Sequence, residues 1–175
     1  VFQDGVNFEG SIAYHRLVTE LFLLPALYRK SIGLEVKESY VNRLRKMAEF
    51  IRTYSRTDGS SPLWGDADDG RTIPFGGQGI NDHRYLISII GLYFGDNNLR
   101  AEPTKSAAEI FWVLGLDAIL KAKSNAKEPS SKAFHNAGVF ILREKDDLVF
   151  INCGPVGMSG RGGHGHNDCL SFEAS

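Results

Sequence analysis

Nowhere in these 175 residues does an apolar run approach the roughly 20 residues that a bilayer-spanning helix requires, so no membrane insertion is expected. The charged-then-apolar pattern of a secretory leader is also missing from the start. The first residue is Val1 rather than Met, and Ser175 stops inside what reads as a strand, so the chain is expected to be an excerpt of a longer protein. There is no excess of one charge: 20 Lys and Arg stand against 21 Asp and Glu, for a formal net charge of -1. With no long basic block either, nucleic acid and anionic membrane surfaces are excluded as expected partners. Any anionic substrate has to be met by local groups. Cysteine is scarce, and Cys153 and Cys169 form no CxxC pair, so by spacing they fit neither a zinc knuckle nor a disulfide framework.

What is present is enough apolar material for a core, 42% of residues, and a change of texture along the chain. Tyr14, Leu17, Val18, Leu21, Leu24 and Tyr28 recur at helical spacing from Ser11 to about Lys30, with Pro25 expected to kink the run. Tyr40, Leu44, Met47, Ile51 and Tyr54 mark a second amphipathic helix beyond Ile32-Gly33. A third is expected after Asn81-Asp82, a fourth from near Thr104 to Gly115, and a short fifth over Asp117 to Ala122. Residues 123–131 are polar and rich in breakers, and beyond them Gly138 to Arg143 and Leu148 to Cys153 read as a hairpin around Asp146-Asp147. The organisation expected is an α+β chain with a helical part over 1–122, a linker over 123–131, and the opening strands of an antiparallel β part over 132–175.

Three segments are rich in reactive side chains. Asp4-Gly5-Val6-Asn7-Phe8-Glu9-Gly10-Ser11 leads into the first helix, with Tyr14 and His15 in its first turn. A helix start is rigid and positively polarised, which suits anion binding. The competing reading makes Ser11 an N-cap, Tyr14 core and His15 a solvated neighbour. Trp64-Gly65-Asp66-Ala67-Asp68-Asp69-Gly70-Arg71 lacks the glutamate that a calcium loop of the EF-hand type needs. It reads either as a sugar-binding loop, with Trp64 stacking on the sugar and the acids bonding hydroxyls, or as a solvated acidic turn. In Gly160-Arg161-Gly162-Gly163-His164-Gly165-His166-Asn167-Asp168, the alternation of His164, His166 and Asp168 puts all three on one face if the chain is extended. Those side chains hold metals, move protons or neutralise anions. A phosphate loop is excluded, because no GK[ST] follows the glycines and the strand comes after them.

The residues Asp4-Gly5-x-Asn7-Phe8-Glu9-Gly10-Ser11-x-x-Tyr14-His15, then Ala108 to Gly115, then Gly162-Gly163-His164-Gly165-His166-Asn167-Asp168-x-Leu170-Ser171-Phe172-Glu173, resemble the heparinase II/III-like polysaccharide lyases, in the family's order. The resemblance implies an α/α toroid segment followed by the first strands of an antiparallel β-sandwich, with an acidic polysaccharide bound in the cleft between them. It implies β-elimination at a uronate: a base takes the C5 proton while donors stabilise the carboxylate, an oxyanion-type role. Carried over, Asn7 matches the carboxylate-binding amide, His164 the histidine of the β domain, and His166 a residue that binds a structural zinc ion whose other ligands would lie beyond Ser175. Such enzymes act in the periplasm or outside the cell.

One position departs from the pattern. The family's catalytic tyrosine belongs in a loop that here reads Ser61-Pro62-Leu63-Trp64-Gly65-Asp66, without tyrosine. Tyr54 falls on the apolar stripe of the second helix, which leaves three readings: Tyr14, near Asn7, is the base, or the base comes from outside this segment, or the chemistry differs. The expected site is therefore Asn7, Tyr14, His15 and His164 for catalysis, with Glu9, Trp64, Asp66, Asp68 and Arg71 binding substrate. Two alternatives keep the same cleft: a glycoside hydrolase using Asp66, Asp68 and Glu9, and a non-catalytic glycan-binding or assembly factor of surface-polysaccharide metabolism.

Overall fold

A computed structural model describes residues 1–99, 106–122 and 128–175. The expected start of the fourth helix near Thr104 and the linker residues 123–127 lie outside them. The longer helices are α1 (Ile12–Ser31), α2 (Glu38–Tyr54), α3 (Arg84–Phe94), α4 (Ala107–Leu114) and α5 (Leu116–Lys121), with single helical turns at Asn97–Leu99 and Gly157–Gly160. The strands are β1 (Lys132–Phe134), β2 (Val139–Glu144), β3 (Asp147–Asn152) and β4 (Ser171–Ala174), forming one antiparallel meander in the order β1-β2-β3-β4. This is the expected α+β class. No helix among the described residues is long and apolar enough to cross a membrane.

Local chemistry accounts for most boundaries. Ser11 caps α1 by accepting the Tyr14 N–H at 3.2 Å. Gly95 ends α3 in the left-handed conformation. Pro25 neither ends α1 nor divides it, so the helix runs on for 20 residues. The β2-β3 hairpin has Glu144 opposite Asp147, one residue from the turn expected at Asp146-Asp147.

The first helix packs the other way round from its apolar periodicity. Its buried residues are Ile12, His15, Arg16, Thr19, Glu20, Leu23 and Ala26, a continuous stripe at helical spacing that is mostly polar. Leu21, Leu24 and Tyr28 of the expected apolar stripe are exposed. In α2 the expected face is the buried one, through Leu44, Met47, Ile51 and Tyr54.

One apolar cluster joins helices and sheet. Phe50 of α2 meets Phe134 of β1 edge to face at 4.8 Å, and Trp64 meets Phe150 of β3 at 5.5 Å. Each such side chain stabilises the fold by about 1.5–3 kcal/mol on burial. The shared core fixes the sheet against the loops at the N-terminal end of α1, where the reactive segments meet.

Candidate functional site

Gly65 is the crossing point of the three reactive segments. Its N–H donates to Asp168 Oδ2 at 2.8 Å, and the neighbouring Asp66 N–H donates to the His164 carbonyl at 2.8 Å. On its other side, Ile12 N–H donates to the Trp64 carbonyl and the Ser11 hydroxyl donates to the Asp66 carbonyl, both at 2.9 Å. A Cβ on Gly65 would collide with the Gly10 carbonyl oxygen and lie 2.6 Å from that of His164, and its φ of +72° is left-handed. Only glycine lets three chains approach this closely.

From this crossing the side chains converge. Asp66 stands between both histidines of the Gly-rich loop, with His164 Nδ1 at 2.8 Å from Oδ2 and His166 Nε2 on Oδ1. An ionised carboxylate only accepts, so His164 Nδ1 and His166 Nε2 each carry the hydrogen they donate to Asp66. The His164 hydrogen bond, ahead of the His166 charge, holds the Asp66 carboxyl below the usual carboxylate range. The Tyr14 ring lies 4.2 Å from that of His164. Its phenol is pushed above its ordinary value by desolvation, then by the charges of Asp68 and Asp66. Tyr14, Asp66, Asp68, His164 and His166 therefore form one cluster drawn from both halves of the chain.

The His164–Asp168 segment is not the extended strand that the alternation predicts. His164 and His166 have φ of 62° and 47°, and the strand starts only at Ser171. The two histidines share a direction because both bond Asp66 in a tight turn. Asp168 faces elsewhere, bracing Gly65 and, through its carbonyl, the Asn152 and Ser171 side chains.

Several other expected site residues have different work. His15 is wholly buried: Nδ1 accepts the Asn7 N–H at 3.2 Å and Nε2 donates to the Met47 carbonyl at 3.1 Å. Burial pushes its pKa down to about 4, so it is a neutral brace rather than a contact to a substrate carboxylate. Trp64, expected to stack on a sugar, is 7% exposed and belongs to the core against Phe150. Arg71 donates to the carbonyls of Gln78 and Gly79, closing the glycine loop after it. Asn7 is buried, with Nδ2 donating to Glu9 Oε2 at 3.1 Å and Oδ1 lacking any hydrogen-bond donor among the described residues. Tyr54 is core, as its place on the α2 stripe predicts, with its hydroxyl 2.7 Å from His83 Nδ1.

Sequence reasoning missed the groups that hold the acidic loop in place. Arg16, fully buried, donates to the carbonyls of Ile80 (2.9 Å), Asp68 (2.8 Å) and Gly70 (2.8 Å). One turn on, Glu20 accepts the Thr72 N–H at 2.6 Å and the Thr72 hydroxyl at 2.8 Å through Oε2, and the Tyr85 hydroxyl through Oε1. The available signal was the polar stripe His15, Arg16, Thr19, Glu20, at the same helical spacing as the apolar residues. Among the described residues no group of three or more His, Cys, Asp or Glu side chains is arranged to hold a metal ion, so the zinc implied for His166 finds no ligand set there.

Residues 126–175 match the family described as Heparinase II/III-like, C-terminal, which bears out the resemblance read from the His-Gly-His segment. The match covers the sheet and the histidine loop and leaves out helices α1 to α5. No curated protein matches the chain.

Proposed function

We propose that the chain carries part of a lyase site that cleaves a uronate-containing acidic polysaccharide by β-elimination. The observation that carries this reading is the stacking of the Tyr14 ring on His164, whose Nδ1 is hydrogen-bonded to Asp66, with the charge of Asp68 acting on the phenol, where the helical part meets the sheet. Desolvation, then the charges of Asp68 and Asp66, favours the protonated phenol of Tyr14 at rest. It acts as base by passing its proton to Asp68 while it takes the C5 proton of the uronate, and then returns a proton to the leaving C4 oxygen. His164, oriented by Asp66 at Nδ1, donates from Nε2 to the substrate carboxylate as imidazolium, the form that stabilises the charge developing there. Asn7 assists once Glu9 yields its amide Nδ2 to the substrate.

The hydrolase reading has less support. Both oxygens of Asp66 are engaged by histidines, Glu9 is engaged by Asn7, and Asp68 accepts the Gly70 N–H, so no pair of free carboxylates flanks a common space. The test is to incubate the full-length protein with a panel of uronate polysaccharides and follow the ultraviolet absorbance of the unsaturated product. Absorbance is expected from at least one substrate and is lost in Tyr14→Phe. New reducing ends without absorbance select hydrolysis, and binding without product, unchanged by Tyr14→Phe, selects a glycan-binding factor.

A further inference from the structure

Asn7 already holds a carboxylate. Its Nδ2 donates to Glu9 Oε2 at 3.1 Å, which is the one hydrogen bond of the Glu9 side chain among the described residues. The two partners are held unequally. Asn7 is 2% exposed, and its backbone N–H is fixed on Nδ1 of His15, a buried ring anchored in turn on the Met47 carbonyl. Its Oδ1 has no donor among the described residues, and turning the amide over would set this oxygen against the carboxylate, so Nδ2 carries the contact. Glu9 is half-buried on a tether of two residues, and no Lys or Arg side chain pairs with it among the described residues. A fixed donor facing a tethered carboxylate is a contact that another carboxylate can replace, because the donor stays and the tethered group goes to water. The contact also lies against the histidine loop. A Cβ on Gly10 would lie 3.0 Å from Gly157 Cα and 3.7 Å from Gly165 Cα, and one on Gly157 would lie 2.5 Å from the Glu9 carbonyl oxygen. The Glu9 charge reaches the Tyr14 phenol as well.

We infer that Glu9 is a built-in competitor for the substrate carboxylate: it occupies the Asn7 amide in the free protein and leaves it when a uronate carboxylate takes its place. This rests on the reading of Asn7 as a contact to the substrate carboxylate. The exchange gives up one charge-assisted hydrogen bond and brings two carboxylates close together. Glu9 therefore weakens the binding of a uronate. A sugar without a carboxylate does not contend for the amide and is unaffected.

Binding is measured by calorimetry on the full-length protein in a Tyr14→Phe background, free of turnover. The probes are short oligosaccharides of glucuronate, galacturonate and mannuronate, with a glucose oligosaccharide of equal length as the neutral control. Glu9→Ala is expected to tighten binding of at least one uronate by about tenfold, the equivalent of one charge-assisted hydrogen bond, and to leave the glucose oligosaccharide unchanged. Glu9→Gln keeps the shape and still accepts from Asn7, so it gives a smaller gain, and it serves as the test if Glu9→Ala does not fold. Adding Asn7→Ala should erase the gain. The proposal is overturned if no uronate binds more tightly to the folded Glu9 variants. It is equally overturned if the gain persists without Asn7, since the effect is then repulsion at a distance. Elimination is read separately with Tyr14 in place: product absorbance without this gain overturns the proposal alone, and this gain without product absorbance supports the proposal while overturning the lyase reading.

Discussion

Helices α1 and α2 pack side by side and solve opposite problems. Helix α2 buries Val41, Leu44, Met47, Phe50 and Ile51, an apolar face whose burial is a direct contribution to stability. Helix α1 buries His15, Arg16, Thr19 and Glu20, groups that cost free energy to desolvate unless every polar atom is paired. Most of those pairs are with backbone: the carbonyls of Asp68, Gly70 and Ile80 for Arg16, the N–H of Thr72 for Glu20, and the N–H of Asn7 for His15. An apolar face fixes where a neighbour sits. A polar face bonded to loop carbonyls fixes the path of the loop, and the loop in question presents Asp66 and Asp68.

The largest effect that sharpens this contrast is Arg16→Met. Removing the guanidinium strands three carbonyls in a buried space and is expected to cost about 3–5 kcal/mol, measured by urea denaturation. It should also dissolve the Asp66–His164 contact. A loss comparable to an exposed substitution would break the contrast. Leu44→Ala in α2 should cost about 3 kcal/mol through transfer and cavity terms, yet leave the site chemistry in a folded sample intact.

The third effect is in pH. The folded-state pKa of His15 is depressed to about 4 from an ordinary 6.5, so between these values the unfolded chain binds a proton that the fold refuses. Stability therefore falls as pH drops from about 6.5 to about 4, by about 3 kcal/mol for this residue. His83, also buried and pushed down by burial, adds in the same direction. Denaturation midpoints across this range should show the slope, and His15→Gln should flatten it. The smallest effect is expected on the outer side of α1. Tyr28, 66% exposed, can be replaced by Ser with a change within about 0.5 kcal/mol.

The same contrast shows what was legible in the sequence. Helix α2, helix α3 and the β2-β3 hairpin follow from periodicity and turn residues, because there the buried face is apolar. The periodicity of α1 pointed to the wrong face, since Leu21, Leu24 and Tyr28 lie outside and the buried residues are those that usually sit in water. Trp64 was assigned to sugar stacking because its neighbours are acidic. The core contact with Phe150 that claims it comes from a strand more than eighty residues away, which no local pattern reports. In the histidine loop the expected shared face holds for His164 and His166 but not for Asp168, which braces Gly65. Alternation implied an extended strand, whereas left-handed turns at His164 and His166 bring both rings onto Asp66.

The central claim is that the polar face of α1 holds the acidic loop so that Asp66 orients His164. Nitrogen-15 NMR of the His164 ring, in the native chain and in Arg16→Lys, tests it most directly, because lysine cannot reach three carbonyls with a planar fork. The account predicts a proton on Nδ1 in the native protein, with the ring otherwise neutral or fully protonated according to pH, and loss of that fixed tautomer in Arg16→Lys. A native ring protonated at Nε2 alone, or a signature unchanged by Arg16→Lys, would contradict it.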